Sequence, residues 1–189
     1  MHRISKEEAG EGLSVRLACE ADITEVEDMV NDFVKGHPAE KHARSRSALR
    51  EAYFGDVPVA NLVVAVREFR VIGMGQWTRI YDMFWSMYGG NVEWLYIRPE
   101  HRGCGVVVAI VAEICAEVRK AGGEFLHGGG DDDVERLYER AAIGCPTHEC
   151  HLSAEAFQVF ADLAGSSPRE IVRRLPSSEL NRVPARSRS

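Results

Sequence analysis

The sequence predicts an α/β (α+β) chain built around strands that meet as an antiparallel meander. Three observations predict it. Strand-like and helix-like segments alternate along most of the chain, and three strand-like runs follow one another between residues 61 and 99 with only short breaks. In addition, "YIRPEHRGCGVVVAI" (96–110) passes from an extended to a helical pattern through Gly103 and Gly105.

The elements follow in order. "SVRLA" (14–18) alternates like a short strand, and "ADITEVEDMVNDFV" (21–34) sets Ile23, Val26, Met29, Val30 and Phe33 on one helical face. "SRSALREAYFG" (45–55) reads as a second, weaker helix. "NLVVAVRE" (61–68) and "VIGMGQWTRIY" (71–81) are strands joined by a tight turn, and "NVEWLYIRP" (91–99) is a third, with Gly89-Gly90 as the break before it. Residues 106–120 carry Val107, Ile110, Val111, Ile114 and Val118 on one stripe, with Arg119 and Lys120 in the last turn and Gly122-Gly123 as the stop. "EFLHGG" (124–129) is a short strand, "DDDVERLYERAA" (131–142) a capped helix, "THECHLS" (147–153) a last strand and "AEAFQVFADLAG" (154–165) a terminal helix.

A chain of 189 residues, 45% hydrophobic and 28% charged, is long enough to bury a core, and residues 14–165 are expected to form it as a single domain. Residues 1–13 read as a flexible N-terminus, polar and charged, unlike a signal peptide. No stretch approaches the roughly 18 uninterrupted apolar residues of a membrane span, so no membrane partner and a cytoplasmic location are expected. Five cysteines at irregular spacing (Cys19, Cys104, Cys115, Cys145, Cys150) suit reduced thiols better than a disulfide framework. Charge is uneven. Residues 165–189 hold six Arg against two Glu, a balance of +4, which leaves −10 on the rest of a chain whose net charge is −6. The acidic body argues against a nucleic-acid partner. The extension 166–189 is basic and rich in Ser and Pro, and past about Pro184 it reads as disordered.

The glycine-bearing passage has a physical reading. A strand, a glycine turn and a helix start make a nest of backbone N–H groups without intrahelical partners, at the positive end of the helix dipole. Such a nest binds phosphate. Its residues are Arg102, Gly103, Cys104, Gly105, Val106 and Val107; the glycines let an anion approach the backbone, and Arg102 adds a charged partner. A dinucleotide-binding loop would need a third glycine and an acidic residue ending the next strand, whereas Glu124 begins its strand. A nucleoside-triphosphate loop would need Gly-Lys-Ser/Thr after the turn, which is missing here.

These residues resemble the GNAT N-acetyltransferase superfamily, whose Arg/Gln-x-x-Gly-x-Gly/Ala signature is matched by "RGCGVV" through Arg102, Gly105 and, with a substitution, Val107. The likeness extends over about residues 14–152, because "NVEWLYIRPEHRGCG" resembles the family's fourth strand and its exit and "DDDVERLYERAAI" its later helix. It implies the GNAT fold, a mixed and mostly antiparallel central sheet flanked by helices, with acetyl-CoA as cosubstrate at the nest and no metal. "YDMFWSMYGGNVEWLYIRPEHRG" is nearest in pattern to the diamine and polyamine acetyltransferases, with Glu93 matching their Glu and Trp94 standing where they have Asp. The implied acceptor is a primary amine of a small molecule or peptide. A homodimer is expected from family habit and from the apolar segment "EAFQVFADLAG".

The resemblance also implies roles. A protonated amine, with a pKa of about 10.4 for a lysine-like group, cannot attack a thioester, so a carboxylate must take its proton. Glu93 matches the family's base, and is otherwise a surface strand carboxylate. Backbone N–H groups from Leu95, Tyr96 and Ile97 are expected to face the acetyl oxygen. Tyr138 in "RLYER" matches the family's acid for the leaving thiolate, and is otherwise a core tyrosine beside Leu137. Asp131 occupies the place of an Asn that bonds pantetheine, or it is an ordinary helix cap. Val107 brings a β-branched side chain where the signature has Gly or Ala, so weakened binding of the pyrophosphate is expected. A member that binds an acyl-CoA without catalysis is the alternative. "HGGG" (127–130) lacks any G-x-S-x-G partner and reads as a strand end, and strand alternation splits His148 and Cys150 from Glu149 and His151 in "CPTHECH", against a zinc site.

Overall fold

The computed structural model describes residues 12–35, 45–84, 86–129 and 149–174. Strand β1 is Leu13–Leu17; helices α1 (Ile23–Phe33) and α2 (Arg46–Phe54) follow, then β2 (Asn61–Arg67), β3 (Arg70–Asp82) and β4 (Met87–Ile97). Next come α3 (Val106–Lys120), β5 (Phe125–Gly129), β6 (Glu149–Ser153), α4 (Ala154–Asp162) and α5 (Pro168–Arg174). The six strands form one sheet in the order β1-β2-β3-β4-β5-β6. Only β4 and β5 run parallel; every other neighbouring pair is antiparallel. This is the mixed, mostly antiparallel sheet expected from the sequence.

Both faces of the sheet are covered, which explains the unbroken apolar run of β2. Its Val63 and Ala65 pack with α3, while Leu62 and Val64 pack with Val26 and Met29 of α1 and with Tyr53 of α2. Helix α3 begins and ends where the sequence places it, but its burial is not a single stripe. Val106, Val108, Ala109, Ala112, Cys115 and Ala116 are buried along with Ile110, Ile114 and Val118, because α4 and α5 cover the side turned away from the sheet. Phe157 and Phe160 of α4 are fully buried there.

Two elements differ from the sequence reading. Gly89 and Gly90 do not interrupt a strand; they lie inside β4, which starts at Met87. The reason is close packing. A Cβ on Gly89 would sit 2.5 Å from the Phe125 ring, and one on Gly90 would sit 2.5 Å from Val118 Cγ2, so glycine lets β5 and α3 close onto the strand. The second difference is α5. The sequence predicts no element after Gly165, yet Pro168–Arg174 is helical and seats Ile171, fully buried, in the α3-face core. The predicted helix 131–142 lies outside the described residues.

Candidate active site

The site grows from an irregularity in β4. Gln76 of β3 pairs with Trp94 and Trp77 pairs with Val92, so Glu93 is an extra residue in the register, with no β3 residue directly opposite it. Such a bulge places two successive side chains on one face and re-aims them. Val92, Leu95 and Ile97 pack in the core under α3, whereas Tyr96 packs with α1 and α2. Trp94 meets Phe33 of α1 ring to ring at 4.9 Å. Glu93 also turns to that face, since its carboxylate accepts from Gln76 Nε2 at 2.8 Å and from Thr78 Oγ1 at 3.0 Å. Gln76 in turn accepts the Tyr53 hydroxyl on Oε1 at 2.6 Å. Burial, and then the charge of Glu93, push the Tyr53 phenol up to about 12, so it stays a donor to Gln76.

The edge of β4 toward β5 opens beside this bulge. Among the described residues, their parallel pairing covers Gly89–Val92 against Phe125–Gly128 and goes no further. Arg98 N–H bonds Ile72 O at 3.0 Å, and with antiparallel alternation this turns the N–H groups of Leu95 and Ile97 away from β3 and that of Tyr96 toward it. The Ile97 carbonyl on this edge is taken by Arg102 Nε at 3.0 Å. Arg102 is further held with its guanidinium 5.6 Å from the centre of the Tyr96 ring.

From Arg102 the chain enters the nest. Gly103 and Gly105 adopt φ of +74° and +79°, a left-handed backbone that glycine takes without strain. Gly105 is the N-cap of α3, and no side chain caps it. The first intrahelical bond runs from Ala109 N to Gly105 O, so the amides of Val106, Val107 and Val108 have no helical acceptor. A Cβ on Gly103 would meet nothing within 4 Å, which leaves that side open, while one on Gly105 would lie 2.6 Å from Pro168 Cβ of α5. Uncapped amides, an open glycine and an adjacent arginine fit a pyrophosphate group. Val107 is half-buried against the α3-face core, and Cys104 is half-buried too.

The structure therefore brings Glu93, Leu95, Ile97, Arg102, Gly103, Cys104, Gly105, Val106 and Val107 to one end of the β4–α3 unit. Tyr138 and Asp131 lie outside the described residues. Tyr53, Gln76, Thr78 and Pro168 were not singled out from sequence; the one signal was the polar alternation of Gln76 and Thr78 in "GQWT". Among the described residues no three His, Cys, Asp or Glu side chains gather as metal ligands, and no helix is long and apolar enough to cross a membrane.

Known proteins share this architecture. An N-acetyltransferase from Staphylococcus aureus Mu50 superposes with a TM-score of 0.60 at 14% identity, over 75% of this chain and 98% of that one. A transcriptional regulator from Bacillus halodurans C-125 gives 0.60 at 21% identity, over 71% and 95%. The ribosomal-protein-alanine N-acetyltransferase of Brucella melitensis biovar Abortus 2308 gives 0.57 at 18% identity, over 71% and 94%. At these identities the likeness is one of fold. No curated protein matches the chain by sequence. The model of the acetyltransferase (GNAT) family, however, matches residues 26–142, more than half of the chain and all of the bulge, open edge and nest. By that match this chain belongs to the GNAT acetyltransferase family.

Proposed function

We propose that this protein is an acetyl-CoA-dependent N-acetyltransferase acting on a primary amine of a small molecule or peptide. The observation that carries the reading is the placement of Glu93, an exposed carboxylate on a bulge, held by Gln76 and Thr78 beside the open edge of β4. Acetyl-CoA supplies the acetyl group as an activated thioester. Arg102 and the amides of the 103–108 turn hold its pyrophosphate. Glu93 takes the proton from the ammonium form of the acceptor, directly or through a water, because an amine with a pKa near 10.4 has no free lone pair at neutral pH. The Leu95 and Ile97 N–H groups donate to the acetyl oxygen as negative charge grows on it. Tyr138, assigned through the family resemblance, returns a proton to the departing thiolate.

The second reading, an acyl-CoA-binding member without catalysis, draws on Asp131, which stands where the resemblance has Asn. Two measurements separate them. CoA is expected to raise the melting temperature progressively with concentration, and acetyl-CoA with a panel of primary amines is expected to release free thiol. A thermal shift with no thiol release from any amine would favour the binding module; no shift at millimolar CoA and no release would contradict both.

A further inference from the structure

The bulge does more than present a carboxylate: it presents Glu93 and Trp94 together on the face that carries α1 and α2. Trp94 is 44% exposed and Phe33 is 40% exposed, and what matters is that the two adjoin each other beside a charged group. They are not scattered. Phe33 stands edge-on to Trp94 at 4.9 Å with an interplanar angle of 85°, and edge-on to Tyr96 at 5.6 Å with the same angle. Phe33 thus braces an indole of which a little under half faces solvent. The groups that touch Glu93, Gln76 and Thr78, are neutral, and the residue next to it in the strand is the indole. Among the described residues that touch this point, Glu93 is the negative partner for an ammonium, and the indole offers the body of the same molecule an aromatic wall.

We infer that the acceptor is an arylalkylamine or a similar amine carrying a flat apolar group, and that Trp94, braced by Phe33, is the residue that selects it. This rests on the amine-acetylating reading above. The chemistry is complementary on both ends: the carboxylate pairs with the cationic nitrogen, and the ring buries apolar surface against the indole, where offset or edge-to-face contact adds to the area term. A polyamine fits less well, since its further ammonium groups would leave water for an apolar wall with only a cation–π contact in return.

The test uses the full chain and three probes of graded character: phenethylamine, n-butylamine and spermidine. Binding to the CoA-saturated protein is read by calorimetry and transfer from acetyl-CoA by thiol release. Phenethylamine is expected to bind, and to be acetylated by kcat/KM, roughly tenfold or more better than n-butylamine. Trp94→Leu keeps an apolar side chain but removes the ring face; it is expected to bring that ratio to within about twofold. Spermidine or n-butylamine preferred over phenethylamine, or a ratio unchanged in Trp94→Leu, overturns the inference without touching the transferase reading. Phenethylamine bound in a Trp94-dependent way but never acetylated supports the aromatic wall and overturns the transferase reading. No binding of any of the three overturns the inference.

Discussion

Gln76 donates its side-chain amide to Glu93 at 2.8 Å while its oxygen receives the Tyr53 hydroxyl at 2.6 Å. The phenol thereby fixes which end of the amide faces the carboxylate. Without it, the amide could turn its oxygen toward Glu93 and replace a donor with a repulsive lone pair. Tyr53→Phe is expected to lower kcat about fivefold, the worth of one ordinary hydrogen bond, with KM for acetyl-CoA unchanged. An unchanged kcat in steady-state assays would mean that the amide is oriented without Tyr53.

The same phenol makes a pH prediction. Its pKa is raised in the folded protein to about 12, from an ordinary value near 10. The stability contributed by keeping it neutral is complete below about pH 10 and is lost as the pH rises toward 12. Denaturant unfolding from pH 9 to 11.5 should show a shallower alkaline decline for Tyr53→Phe than for the wild type. Identical slopes would place Tyr53 in a wetter environment than its burial indicates.

Gly103 and Gly105 share a left-handed backbone but not their surroundings. Gly103→Ala carries only the conformational penalty, about 1 kcal/mol, because nothing lies within 4 Å of the added methyl. Gly105→Ala adds a collision with Pro168 at 2.6 Å and is expected to cost about 2–3 kcal/mol. In thermal melts the second variant should fall roughly twice as far as the first. Equal losses would mean that α5 moves aside freely.

Much of this arrangement was legible in the sequence, and the parts that were not share a cause. Helix α3 was read to its ends because its apolar residues, its glycine N-cap and its basic last turn are all local signals. Glu93 and the nest are proposed from a motif for the same reason, since a motif too is local. The Gly89-Gly90 pair was misread because the reason for glycine there is Phe125 and Val118, about thirty residues away in sequence. The bulge is a property of register between two strands, so neither strand shows it alone. Tyr53 and Gln76 are linked to Glu93 only once α2 lies on the sheet. Helix α5 escaped notice because it is short and strongly basic, with Ile171 as its fully buried anchor.

Val107 is a case where the structure changes the expectation. The signature alone suggests that its bulk crowds the pyrophosphate, but the side chain is half-buried against the α3-face core. Val107→Ala is therefore expected to lose about 1 kcal/mol of stability, with CoA affinity by calorimetry changed less than twofold. A severalfold gain in affinity would restore the crowding argument.

Away from the site, Arg16 holds Asp22 through two bonds of 2.7 and 2.9 Å, and the Cys19 N–H adds a third at 2.7 Å. Burial pushes this carboxyl up, but the bonds outweigh it and leave it below the usual carboxylate range. A lowered pKa contributes stability that is present above the unfolded value, near 4, and lost as the pH falls through the folded one. Asp22→Asn should be about 1–2 kcal/mol less stable at pH 7 and show a flatter decline below pH 4. Parallel acid limbs for the two proteins would remove Asp22 from the acid response.

The measurement that tests the central claim most directly is the pH profile of acetyl transfer from acetyl-CoA to phenethylamine, for the wild type and Glu93→Gln. Glutamine preserves the size of the side chain and can still meet Thr78, but it cannot take a proton. If Glu93 is the base, kcat/KM falls roughly 10²-fold or more and the rise in rate with pH flattens, while the CoA-dependent thermal shift stays as in the wild type. A Glu93→Gln enzyme with full activity and an unchanged profile would contradict the account.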